Sequence, residues 1–164
     1  MSTTAANSID TVADQSSDSP SAYQTDFYAW TQQQAALLRA RHLESLDIEN
    51  IAEEIESLGR SEKRELESRF TVLLMHLLKW QYQSGERERH GRSWLATIRT
   101  QRTELRKLMR DNPSLKAQFD SVLQESYQDA RYQAEAETGL NITAFPDTNP
   151  YLTDQLFDPL WLPD

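Results

Sequence analysis

The chain contains no cysteine, only four glycines and six prolines in 164 residues. Without cysteine there are no disulfides, thiolate zinc sites or cysteine nucleophiles, and a reducing compartment, the cytoplasm, is the expected location. So few glycines fall short of what the turns of a strand-rich fold require and leave no loop to cradle a phosphate. No apolar run approaches the roughly 18 residues of a membrane span, and the N-terminus has neither the basic start nor the apolar stretch of a secretory leader. Residues 1–22 also lack any aromatic, leucine or basic side chain. They cannot bury enough surface to offset the entropy of ordering, and they read as a disordered acidic tail.

Leu, Ala, Glu, Gln and Arg dominate what remains, and this composition predicts an all-α protein. At 19.0 kDa the chain is large enough for one core without staples. No linker interrupts 23–164, which is expected to be a single helical domain: a bundle of about five helices with an irregular C-terminal segment. Thr25 reads as the N-cap of a helix over 26–41, Asp47 as the cap of a second ending near Gly59, and Ser61 as the cap of a third running to about Gln83. After the polar stretch "SGERERHG", Ser93 reads as the cap of a fourth helix that ends near Asp111, before the Asn112–Pro113 pair. Ser114 opens a fifth, closed at Gly139. The remainder, "FPDTNPYLTDQLFDPLWLPD", holds four of the six prolines yet is rich in aromatic and leucine side chains. It is expected to wrap over the bundle.

Six stretches in fixed order, "YQTDFYAWTQQQAALLRA", "IENIAEEIESLGRSEKREL", "LLMHLLKWQYQ", "RSWLATIRTQR", "ETGL" and "FPDTNPYLTDQLFDPLW", resemble a bacterial family known as domain of unknown function number twenty-nine. The resemblance covers 23–164 and implies an α-helical bundle. It brings no established activity, cofactor or catalytic residue.

The segment "NIAEEIESLGRSEKRELESRF", residues 50–70, is dense in carboxylates. At about 100° per residue, Ile48, Ile51, Ala52, Ile55 and Leu58 share one arc, the expected buried face. Glu54 then lies about 90° to one side, Glu56 about 110° to the other and Glu53 nearly opposite. Three carboxylates fanned in this way do not share an ion. They read as a solvated flank paired with Lys63 and Arg64 on the next helix, Glu54 being nearest the core edge.

No Glu-x-x-His, His-Glu-x-x-His or Gly-x-Ser-x-Gly occurs, so neither a metal centre nor a catalytic triad is expected, and no cofactor. Of the three histidines only His76 lies in an apolar helix, where it reads as a hydrogen-bonded core residue one turn before Trp80. "TVLLMHLLKWQY" is apolar on almost every bearing, which makes its helix central to the bundle or shared with a second copy. Trp80 falls on the arc of Leu66, Phe70, Leu73 and Leu77, and with Trp161 it is expected to be shielded.

Between Lys79 and Arg110 nine basic residues face three acids, a local +6 in a chain of net charge −9. Arg99, Arg106 and Arg110 line one stripe of the fourth helix, which Trp94 begins. Such a stripe beside an aromatic can grip phosphates and stack a base, or it can pair with the acidic helices of its own fold. The acidic whole favours the internal reading. Arg102 projects inside the buried arc of Leu95, Ile98, Leu105, Leu108 and Met109, so a carboxylate partner is expected, with Glu54 first and Glu53 or Glu56 next. The function expected from all this is a non-enzymatic module for protein interaction or self-association, with an unidentified protein partner or a homo-oligomer. The alternative is a nucleic-acid-associated protein using 79–110.

Overall fold

The computed structural model describes residues 21–164, so the expectation for the tail lies, except for its last two residues, outside the described residues. Helices α1 (Ala22–Thr25), α2 (Phe27–Ala40), α3 (Ile48–Tyr82), α4 (Arg87–Asp111), α5 (Phe119–Thr138) and α6 (Thr153–Phe157) are joined by short 3-10 turns, and no strand occurs among the described residues. The protein is all-α, with four long helices. None of the described helices is long and apolar enough to cross a membrane.

The described residues divide into two compact units, the first ending at Glu54 and the second running over Ile55–Asp164. In the first, Asp26 rather than Thr25 caps α2: its carboxylate accepts from the Ala29 amide at 2.9 Å, while the Thr25 hydroxyl turns back to the Ser21 carbonyl. Arg41 ends α2 with φ of 59°, the left-handed conformation that glycine usually fills. Asp47 then organises the turn. Its carboxylate accepts from Trp30 Nε1 at 3.0 Å and Asn50 Nδ2 at 2.7 Å, and its amide donates to the buried Gln34. These bonds from Asn50 and Trp30 hold the Asp47 carboxyl below its ordinary value. Trp30 itself is buried, edge-on to Tyr23 and stacked with Phe27.

The expected second and third helices are one. α3 runs through Gly59 and Ser61 without a break over 35 residues, about 52 Å of helix. A glycine inside a helix costs roughly 1 kcal/mol relative to alanine. The pairs Glu56–Arg60, Lys63–Glu67 and Glu65–Arg69, all four residues apart, contribute about 0.2–0.5 kcal/mol each and together offset it. Three of the six carboxylates of 50–70, Glu56, Glu65 and Glu67, therefore find basic partners along their own helix, not on a following one.

In the second unit α3 is the central element. Leu66, Phe70, Leu73, Leu74, Leu77 and Leu78 are fully buried, and Met75 nearly so. α4 lays Ile98, Leu105 and Leu108 into this core, and α5 adds Val122, Leu123, Tyr127, Ala130 and Ala134. α4 begins at Arg87, six residues before the expected cap, because the polar stretch is drawn onto the end of α3. Arg87 Nε donates to the Trp80 carbonyl at 2.8 Å and its guanidinium lies over the Trp80 ring. Gly91 is buried where an added Cβ would meet that ring at 3.4 Å. Trp80 is thereby half-buried between α3 and α4, and it is not part of the central cluster.

The C-terminal segment covers the core as expected. Phe145, Tyr151 and Leu156 are buried, and Trp161 is half-buried with its ring edge-on to Tyr151. Phe157 joins Phe70 and Phe119 in an aromatic trio.

Candidate functional site

Two features stand out: a buried pair of arginines that fastens the C-terminal segment, and a helix face left uncovered. Arg102 is 1% exposed, as its place in the apolar arc requires. Its partners are not carboxylates. Nε donates to the Leu156 carbonyl at 2.9 Å, one terminal nitrogen to Trp161 at 2.9 Å and the other to Gln155 at 3.0 Å. Gln155 and Leu156 lie in the last turn of α6, whose free carbonyls form the negative end of the helix and suit a cation. A planar fork of donors satisfies three acceptors that diverge from one another, which neither a carboxylate nor an ammonium does. Burial lowers the Arg102 pKa from its ordinary value while Asp158 opposes the shift. The expected pairing with Glu54, Glu53 or Glu56 is thus corrected: Glu54 accepts from the Tyr23 hydroxyl at 2.6 Å, Glu56 pairs with Arg60, and Glu53 is exposed. The bond to Glu54 pushes the Tyr23 hydroxyl up to about 12.

Arg131 repeats the arrangement on α5. It is 8% exposed and donates to the Phe145 carbonyl, the Gln128 side chain and Asp147, the last at 2.7 Å. Tyr127 adds a bond to the Pro146 carbonyl at 2.8 Å. The sequence signal was available, since Arg131 lies four residues after Tyr127 and three before Ala134, inside the buried arc of α5.

A cleft of about 350 Å³ is lined by Lys79, Gln83, Glu86, His90, Trp94 and Glu137. Trp94 is 5% exposed, with the Lys79 ammonium 5.2 Å from its ring centre and His90 stacked on it at 5.9 Å. Lys79 and His90 thus cover its ring. Lys79 is ion-paired with Glu137, and His90 and Arg89 lie beside Glu86. His76 lies half-buried on α3, with Nδ1 2.8 Å from the Val72 carbonyl; that acceptor places the ring proton on Nδ1. Burial pushes its imidazole below the ordinary value. Among the described residues no group of three or more acidic or histidine side chains can hold a metal ion.

The basic stretch pairs internally only in part. Lys79 meets Glu137, Arg110 meets Asp111, and Glu104 receives Arg69. Arg106 leans on the Phe157 carbonyl at 3.4 Å. Arg92 and Arg99 are exposed and have no carboxylate within 4.0 Å among the described residues.

The larger departure lies at the start of α3. The arc expected to be buried is uncovered: Ile48 is 61% exposed, Ile55 64% and Leu58 69%, with Ala52 exposed beside them. Burying a side chain of this kind is worth about 1.5–3 kcal/mol, so the exposed seam forgoes several kcal/mol. Gly59 adjoins it, and nothing lies within 4 Å of where its Cβ would stand. No packing among the described residues explains this glycine.

Residues 22–162 match the family described as Domain of unknown function DUF29. The chain belongs to that family. No curated protein and no solved structure matches it. The family span begins at α1 and ends within the segment that Arg102 holds, so both the uncovered face of α3 and the arginine clamps lie inside it.

Proposed function

We propose that this member of the family is a non-enzymatic interaction module, and that the apolar face at the start of α3 is its working surface, docking an amphipathic helix. One observation carries the reading: Ile48, Ile51, Ile55 and Leu58 recur at intervals of three, four and three residues, the spacing of a helix-pairing seam, and three of the four are more than half exposed. Exposed apolar side chains gathered in one stripe, rather than scattered singly, mark a contact surface. The lack of cysteine supports a cytoplasmic setting.

The test is the double substitution Ile55→Glu with Leu58→Glu. Both positions are exposed, so the change in folding stability should stay within about 0.5 kcal/mol per site. The native chain should retain a helical partner from native lysate, and the double variant should lose it. Identical capture by both forms would defeat the reading.

Nucleic-acid association stands second. Arg92 and Arg99, exposed and without carboxylate partners among the described residues, support it, while the net charge of −9 and the covered face of Trp94 weigh against it. Retention on heparin and a gel shift that weakens with salt would favour it.

A further inference from the structure

We infer that the outer face of α4 is a contact surface for the phosphate backbone of a nucleic-acid duplex. This rests on the second reading above, nucleic-acid association, and names its surface and the form of its ligand. It does not depend on the apolar face of α3.

The exposed composition of α4 carries it. From Arg92 to Arg110 nine side chains are exposed, and five of them are basic: Arg92, Arg99, Arg106, Lys107 and Arg110. Ser93, Thr100 and Thr103 carry hydroxyls, and the ninth is Ala96. No acid, aromatic ring or large apolar side chain is among the nine. At about 100° per residue the four arginines fall within about 40° of one another, so they form a rail along the helix. The rail is about 27 Å long, the length of about eight base pairs. Ile98, Leu105 and Leu108 bury the opposite side of α4 in the core, which turns the rail outward.

What this face lacks selects its partner. A protein partner needs an aromatic or aliphatic anchor at the centre of the contact, and a membrane surface needs apolar side chains to insert. Neither is exposed on the rail. A single strand needs an aromatic platform, and Trp94 is 5% exposed and covered by Lys79 and His90. A duplex backbone needs only cations and hydroxyl donors in line, and those are what the rail holds. The acids that follow Arg92 on α4 do not compete, since Glu104 receives Arg69 and Asp111 pairs with Arg110. The net charge of −9 acts at a distance, and at physiological ionic strength such fields decay over about 8 Å. The five charges of the rail therefore govern contact there.

Binding of the full chain to a DNA duplex of about 20 base pairs, followed by fluorescence anisotropy over a range of salt, tests this. Arg110 is engaged by Asp111, so the other four cations set the slope of log K against log salt at about −3.6, a loss of about 150-fold between about 50 and 200 mM. Arg92→Gln with Arg99→Gln should leave helicity unchanged and lower the slope to about −1.8, a loss of about 12-fold over the same range. A single strand of the same length should bind more weakly than the duplex, and polyglutamate of equal charge should displace the duplex poorly. A slope unchanged in the double variant overturns this face and leaves the nucleic-acid reading standing. A single strand that binds more tightly overturns the duplex as ligand, and polyglutamate that competes equally overturns the phosphate backbone in favour of an acidic protein. No duplex binding at about 50 mM salt removes both this inference and the nucleic-acid reading.

Discussion

Replacing Arg102 by methionine tests how the C-terminal segment is held. The aliphatic stem survives in Met, so packing against Ile98 and Leu105 is largely kept, and the loss isolates three hydrogen bonds. Leaving a buried carbonyl without a donor costs about 1–3 kcal/mol, so three orphans set a gross loss of about 3–9 kcal/mol. Two effects reduce it. The guanidinium is no longer desolvated, and the carbonyls of Gln155 and Trp161, near the surface, regain water once the segment lifts. The expected net loss is about 3–5 kcal/mol, read as a fall in the urea midpoint. No side chain can be removed in compensation, because the partners are main-chain carbonyls; this separates Arg102 from a buried ion pair, where a double apolar replacement can be neutral.

Because the bonds reach only α6 and the residues after it, the variant should lose the segment first. Trp161 should become accessible to acrylamide, and the chain should be cut near Asp158, at denaturant concentrations where helicity is still native. Arg102→Lys keeps the charge but cannot address three diverging acceptors, and should recover about half of the loss. A loss under about 1 kcal/mol in Arg102→Met, the size of a surface contact, would refute the clamp.

His76 predicts a pH dependence. Its folded pKa lies below the ordinary value of 6.5, so the unfolded chain takes up the proton first, and the stability present above about pH 6.5 is lost as pH falls through the folded pKa. His76→Gln should flatten the change in urea midpoint between neutral and mildly acidic pH, and an unchanged slope would remove His76 from that role. Gly91→Leu should destabilise by about 1–3 kcal/mol through overpacking against Trp80, whereas Gly59→Ala, facing open space, should stabilise the single chain by about 0.4–1 kcal/mol; thermal melts of the two decide. Alkaline titration followed by tyrosine absorbance should show Tyr23 and Tyr127 ionising only at about 12, and early ionisation of Tyr23 in Glu54→Ala would confirm that its bond to Glu54 sets the shift.

The helical class, the buried position of Arg102 and the fastening of the C-terminal segment could be read from composition and periodicity, because those signals report which face of a helix is covered. The bearings of Leu95, Ile98 and Leu105 placed Arg102 in the core, and it is there. Its partner could not be read, since the three carbonyls belong to residues more than fifty positions away, and main-chain acceptors leave no trace in residue identity. The helix boundaries failed at Gly59 and at "SGERERHG" for a related reason. Local cap signals at Ser61 and Ser93 are worth about 1 kcal/mol, and the pairs along α3 and the docking of Arg87 and Gly91 on Trp80 outweigh them.

The same logic bears on the acidic stretch. Periodicity at Ile48, Ile51, Ile55 and Leu58 states that something covers this face and does not state what. The aliphatic run that begins at Leu66 is covered within the chain, whereas the stretch N-terminal to Gly59 keeps the pattern and is uncovered. If the pattern were incidental, substituting Ile55 and Leu58 with glutamate would change nothing except solubility. If it marks a contact, the exposed face and the unpacked Gly59 are two traces of one missing surface. The Gly59→Gln variant separates these cases most cheaply, because the single chain gives it room and a paired helix does not.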